Sequence, residues 1–407
     1  MELDDIAALV AAGDDAAAFA RLVRAFGWPH KVAELAPWVR MLQTLAERRG
    51  AAPLAALAAN VVRDPDSPDQ LYDLGYALID AGAPNLAASV LWRCLQLVGD
   101  SEEVVCELVS ALETGLAHGD AFAILEAREP LRARSFMCEY LFAFNAAMIG
   151  RLDVTRAALA RLHVSRDAPE TEAMRLAIAA ILERADRIAG ALPLDARDLR
   201  GWHYVLTGGL LAHQSPYGFD TPMHGRYAFL QDSIARVAWG IERLRGLAKD
   251  IPCVYAPPGR DHEIIARAAA QRLGIPIAPW PAVGVPSPGL VVLYDLAELP
   301  RGELQRLLQR RDQQILYAHA SPWTVDVPVA PDVTTLLYQT LAPAWSDTRS
   351  IDDVVADIVT SPGLATAELE ADEPERWAAL VARAWPPHAG VRSRSWAGGP
   401  VPSNRFE

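Results

Sequence analysis

From Ser67 to about Arg187 the chain repeats itself every 34 residues, and no other feature of the sequence narrows its fold as far. Leu74, Leu108, Phe142 and Leu176 stand 34 apart, as do Leu91, Leu125 and Leu159. Leu78, Leu112, Ala146 and Ala180 keep the same phase, and so do Ala87 and Ala121. Gly82 and Gly150 fall two periods apart, each where a helical pattern ends and the chain must turn sharply. Inside a unit, LYDLGYALIDAG places Leu71, Leu74, Gly75 and Leu78 on one helical face, and NLAASVLWRCLQLV continues as a second helix. A lone helical pair cannot bury such a face, so neighbouring pairs must stack.

This pattern resembles the tetratricopeptide repeat, a pair of antiparallel helices of 34 residues. The matching positions are Leu74, Gly75 and Leu78, then Ala87, Leu91 and Cys94. Val109 and Ala143 replace the small glycine in the later units, and Thr155 stands where alanine is usual. Helical stretches before Ser67 extend the array, so residues 1–200 are expected to form a TPR-like α-solenoid, with its clearest repeats over 68–187. The resemblance implies a groove that takes a protein or peptide.

After Ile251 the period changes. PCVYAPP, IPIAPW, GLVVLYD and QQILYAHA read as short strands, with TTLLYQ as one more. HEIIARAAAQRLG and ELQRLLQRR read as helices between strands, and IDDVVADIV and PERWAALVARAW as flanking helices. Strands alternating with helices predict a mainly parallel α/β domain over 251–385, its apolar strands covered on both faces. The fold class expected for the whole chain is therefore α plus α/β. Residues 201–250 read as a helical joint, with RYAFLQDSIARVAWGIERLRGLAKD as one amphipathic helix. The tail 386–407, rich in Pro, Gly, Ser and Arg, is expected to be mobile.

The segment from Cys253 to Ala320 looks like a degenerate phosphoribosyltransferase fold, chiefly through the helix Glu263 to Leu273 and the acid that follows LVVLY. That family places two adjacent acids and a threonine-rich phosphate turn there. Here Asp295 is followed by Leu296, and the turn carries Glu298, which repels phosphate. Two functions follow. The first is a TPR-type interaction or scaffold protein with a non-catalytic α/β domain. The alternative is a phosphoribosyl- or nucleotide-handling enzyme working at the strand ends, and Mg²⁺ is implied only there.

Ligands of parallel sheets bind beyond the carboxyl ends of the strands. The candidate ligand-binding residues are accordingly Arg260, Asp261, His262, Asp295, Glu298 and His319. Arg260 precedes a helix and is either an anion holder or a solvated side chain, while Asp261 is either a ligand contact or a helix cap. His203, His213, Tyr217 and His224 crowd the stretch WHYVLTGGLLAHQSPYGFDTPMHGRY, which reads as a joint first and as part of a cleft second. No nucleophile elbow, Walker loop or GxGxxG is present, no catalytic residue is nominated, and no metal site is expected.

The net charge of −13 argues against a nucleic-acid partner. Cys94, Cys106, Cys138 and Cys253 lack CxxC spacing and read as buried free thiols. The acidic start MELDDIAALV lacks a signal-peptide pattern, and no apolar run is long enough for a membrane span. The expected setting is cytoplasmic. Two lysines among many arginines and alanines point to a GC-rich bacterial genome.

Overall fold

The structure is a computed structural model that describes residues 2–25, 35–164, 168–215, 224–365, 369 and 374–403. The chain divides into two compact units, Met1–Arg175 and Leu176–Glu407. Helices come first and a parallel sheet follows, as the change of period predicts.

The first unit contains α1 (Glu2–Ala11), α2 (Asp15–Ala25), α3 (Leu35–Arg48), α4 (Ala52–Arg63), α5 (Pro68–Asp80) and α6 (Pro84–Val98). It continues with α7 (Glu102–Thr114), α8 (His118–Glu126), the single turn α9 (Glu129–Arg132), α10 (Phe136–Met148) and α11 (Leu152–Leu159). The helix α12 (Pro169–Ile188) runs across the boundary. The starts of α5, α7 and α10 step by 34 residues, and so do those of α6, α8 and α11. Each hairpin packs on the next: α5 on α6, α6 on α7, α7 on α8 and α8 on α10.

Local chemistry sets these boundaries. Ser101 and Ser135 cap α7 and α10 by accepting from the N–H groups of Val104 and Cys138. Gly82 and Gly150 take positive φ after α5 and α10. The equivalent position after α7 is Leu116, which adopts φ 59° without glycine's freedom. At Gly75 the helices come so close that a Cβ would sit 2.5 Å from Leu91 Cγ. Leu71, Leu74, Leu78, Ala87, Leu91 and Cys94 are buried around this contact, and each fully buried leucine contributes about 1.5–3 kcal/mol.

The periodicity ends sooner than the sequence suggests. Leu176, which matches the repeat by spacing, is 51% exposed. The helix α12 buries Ile178, Ile181, Leu182, Ala185 and Ile188 instead, a different phase. Spacing alone could not reveal the shift, because leucine and alanine occur in α12 at both phases.

The second unit contains α13 (Leu199–Thr207), β1 (Leu210–Leu211), β2 (Tyr227–Gln231), α14 (Ile234–Glu242), β3 (Val254–Tyr255), α15 (Arg260–Leu273), β4 (Ile277–Ala278) and β5 (Gly289–Asp295). A 3-10 turn (Leu296–Glu298) leads to α16 (Arg301–Arg306), β6 (Gln309–Arg310), β7 (Gln314–Pro322), β8 (Val333–Ala342), α17 (Ile351–Thr360), α18 (Pro374–Ala384) and β9 (Gly390–Val391). The sheet runs β1-β8-β7-β5-β3-β4, with every pairing parallel. The strand β2 also pairs with β8, so β1 lies along its start and β2 along its end. The pair β6 and β9 is antiparallel and separate.

The central strands β5 and β7 are buried along their whole length, which is why they read as unbroken apolar runs. One face is covered by α15, with α14 and α17 packed against it. The other is filled by Val291, Leu293, Leu296, Leu299, Leu304, Leu316 and their neighbours. Gly240 lets α14 approach the sheet, since a Cβ there would collide with Thr335 and Tyr317.

Two expectations need correction. Residues 227–231 are strand β2, and the helix begins only at Ile234. The alternation of YAFLQ satisfies both periods, and β8 supplies the edge that decides between them. The terminal segment expected to be mobile is instead packed as far as Ser403. Arg392 is buried against Asp332, Ala397 and Val401 are buried, and Val401 O accepts from Arg226. Its composition concealed one arginine whose partner lies 60 residues earlier.

Candidate functional site

The chain leaves β3 for β4 on one side and returns to β5 on the other, so the sheet's switch point lies between β3 and β5. Such a point is where parallel sheets hold ligands, beyond the carboxyl ends of the strands. Here those ends are occupied by a buried polar network.

Its centre is Asp232, which follows β2 and precedes Ser233, the cap of α14. Asp232 Oδ2 accepts from the Tyr294 hydroxyl at 2.8 Å and from His319 Nε2 at 3.0 Å, and Oδ1 accepts from Arg236 Nη1 at 2.9 Å. The side chains of Asp232 and His319 are fully buried. Burial works against the Asp232 carboxylate, but His319 and Arg236 outweigh it and hold its pKa down at about 2. Burial and the adjacent Asp232 raise the Tyr294 hydroxyl far above the ordinary tyrosine value. The Tyr294 and His319 rings stack at 5.5 Å. The Tyr317 hydroxyl lies 3.4 Å from His319 Nδ1 and 2.8 Å from Thr335 Oγ1.

Asp295 closes β5. Its Oδ1 accepts from Ala297 N, fixing the 3-10 turn, and its Oδ2 accepts from the Tyr338 hydroxyl at 2.5 Å. Burial raises its pKa despite both bonds. Glu298 lies on the exposed turn that follows, its carboxyl raised by desolvation and by Asp295 and Asp261.

His262, in α15, accepts from Tyr294 N at 3.1 Å through Nδ1. The strand β3 ends opposite Val291, so the β5 backbone beyond it lacks a strand on that side, and the imidazole replaces one. Burial lowers its pKa to about 4, consistent with a neutral acceptor. Arg260 donates to the carbonyls of Arg349 at 2.7 Å and Ser346 at 3.4 Å. Asp261 accepts from Trp345 Nε1 at 2.7 Å rather than capping α15, whose N-cap is Gly259. Trp345 packs on Tyr294 at 4.8 Å between ring centroids. The segment after β8 thus lies over the strand ends, tied down by Arg260 and Asp261.

The histidines of the crowded stretch are placed separately. His213 shares a 2.8 Å hydrogen bond with the Tyr227 hydroxyl and meets the Trp239 ring edge-on, and burial lowers its pKa to about 3. His203 is buried in α13 with Nε2 unpartnered, its pKa lowered to about 4 by burial and by Arg226. A cavity of about 20 Å³ beside it has room for one water. His224 is half-buried, with its pKa lowered by desolvation, Arg197 and Arg226. Tyr217, like Phe219 and Met223, lies outside the described residues.

The structure therefore gathers Asp295, His262, His319, Arg260 and Asp261 around the strand ends, keeps His203 apart from them, and links His213 to Asp232 through Tyr227 and Arg236. Sequence reasoning missed Asp232, Arg236, Tyr294, Tyr338 and Trp345. The Asp-Ser pair at 232–233 is an ordinary helix-start signal, hidden once 227–247 is taken as a single helix. An aspartate, a histidine and a tyrosine in a row have the makings of a proton relay. Here Asp232 bonds both Tyr294 and His319, and His319 also meets the Tyr317 hydroxyl. Among the described residues, no group of three or more His, Cys, Asp or Glu side chains is placed to hold a metal ion. Among them, no helix is long and apolar enough to cross a membrane. No protein-family model matches the chain, and a search of curated proteins finds no match.

Proposed function

We propose that the first unit is a TPR-type recognition module that binds a cationic peptide segment, and that the second unit is a non-catalytic α/β partner domain. The observation that carries this reading is the face shared by α5 and α7. These two helices contain seven acidic residues and no basic one: Asp69, Asp73, Asp80, Glu102, Glu103, Glu107 and Glu113. Tyr72 and Tyr76 stand among them, Tyr76 52% exposed. The Tyr72 hydroxyl is raised by desolvation and by the charges of Glu107 and Glu103, so the two helices' stripes adjoin. Glu107 is raised by desolvation and by Asp80. A cation laid along this face would relieve that repulsion, and tyrosine rings supply cation–π contacts.

Fluorescence polarisation with a labelled arginine-rich peptide tests the reading, with a glutamate-rich peptide of equal length as control. The arginine-rich peptide should bind with salt-sensitive affinity. Glu103→Gln and Glu107→Gln should each weaken it by about threefold. Equal binding of the two peptides, or no effect of either substitution, would refute the proposal.

A further inference from the structure

We propose that a cleft in the second unit, on the side of the sheet opposite the Asp232 network, is a binding site for a small phosphate-class oxyanion. The cleft has a volume of about 180 Å³ and is lined by Glu183, Arg184, Arg187, Tyr204, Arg310 and Ser393, among others. That is room for roughly six waters. Gly208, also in its wall, ends α13 just before β1, which pairs with the start of β8. The cleft therefore lies toward the amino-terminal ends of those strands.

Charge balance argues for the ligand. Arg187 pairs with Glu183 at 2.6 Å and hydrogen bonds with Tyr204. Arg310 and Arg392 share one carboxylate, Asp332. Among the described residues, Arg184 hydrogen-bonds to neutral acceptors: the carbonyls of Val205 and Leu206 at 2.8 and 3.0 Å, and Ser393 Oγ at 3.2 Å. Three guanidiniums, Arg184, Arg187 and Arg310, thus line the cleft against one carboxylate, Glu183, while Asp332 behind it is shared by Arg310 and Arg392, and one dianion would neutralise the surplus. Desolvation lowers the Arg184 pKa to about 10; Tyr204 and Glu183 oppose the shift, and Arg310 and Arg187 add to it. Uncompensated cations in a partly enclosed place are costly, and guanidinium forks match the geometry of phosphate oxygens.

The test is calorimetric titration of the full chain with inorganic phosphate and, separately, with a three-carbon phosphomonoester, against chloride at matched ionic strength. Tighter binding of inorganic phosphate identifies the free ion as ligand, and tighter binding of the ester identifies a phosphorylated metabolite; either supports the site. Arg187→Gln, which leaves the Arg310–Asp332–Arg392 cluster untouched, should weaken binding by about tenfold or more. Glu183→Gln removes a competing carboxylate and should tighten it. Absence of binding by both compounds, or affinities unchanged in both variants, would overturn the proposal.

Discussion

Three buried histidines should make the second unit acid-labile well above the carboxylate range. His203, His213 and His262 are each at most 8% exposed, with pKa values lowered to about 4, 3 and 4, chiefly by burial. In the unfolded chain each titrates near 6.5. Between that value and about 4 the unfolded chain binds a proton that the folded one refuses, so stability falls as pH falls. Each histidine contributes about 1.4 kcal/mol per pH unit, or about 2 kcal/mol at pH 5. Together they remove about 6 kcal/mol, a large part of an ordinary domain's stability of about 5–15 kcal/mol. Urea unfolding followed by tryptophan fluorescence at pH 8 and pH 5 measures the loss. In His262→Gln the amide oxygen can still accept from Tyr294 N, while the proton-binding site is gone. Its pH-dependent loss should shrink by about 2 kcal/mol. Equal midpoints at the two pH values, or a His262→Gln variant with the full loss, would refute the reasoning.

Asp332 accepts from Leu316 N and from the guanidiniums of Arg310 and Arg392, all close to the start of β8. Asp332→Ala leaves two cations without their carboxylate and should cost about 3–5 kcal/mol in urea unfolding; a loss below about 1 kcal/mol would show the cluster to be solvated. Leu116 occupies the left-handed position that Gly82 and Gly150 fill in the neighbouring units. Leu116→Gly should stabilise the first unit by about 1 kcal/mol, read as a raised thermal midpoint, and an unchanged or lower midpoint would count against strain at that turn.

The stacked helices were legible because a helix needs its own sequence and one apolar stripe. Leu74, Leu78, Leu91 and the serines and glycines at the helix ends carry that information locally. The strand β5 was legible for a related reason, since a strand covered on both faces must be continuously apolar. The polar network was only half legible. Asp295 and His319 could be nominated because they end or lie on recognisable strands. Asp232 could not, because YAFLQDSIARV suits a helix unless β8 is beside it to pair with Tyr227–Gln231. Trp345 and Arg392 gave no signal either, since their partners, Asp261 and Asp332, are 84 and 60 residues away in sequence.

By itself, then, the sequence determined the order of architectures, helical pairs first and a parallel sheet after, because periodicity is a local consequence of which face must leave water. The tertiary structure alone decided what the strand ends hold. Arg260 meets the carbonyls of Ser346 and Arg349, Asp295 the Tyr338 hydroxyl and His319 the Asp232 carboxylate, and no local pattern encodes where a buried charge finds such distant partners.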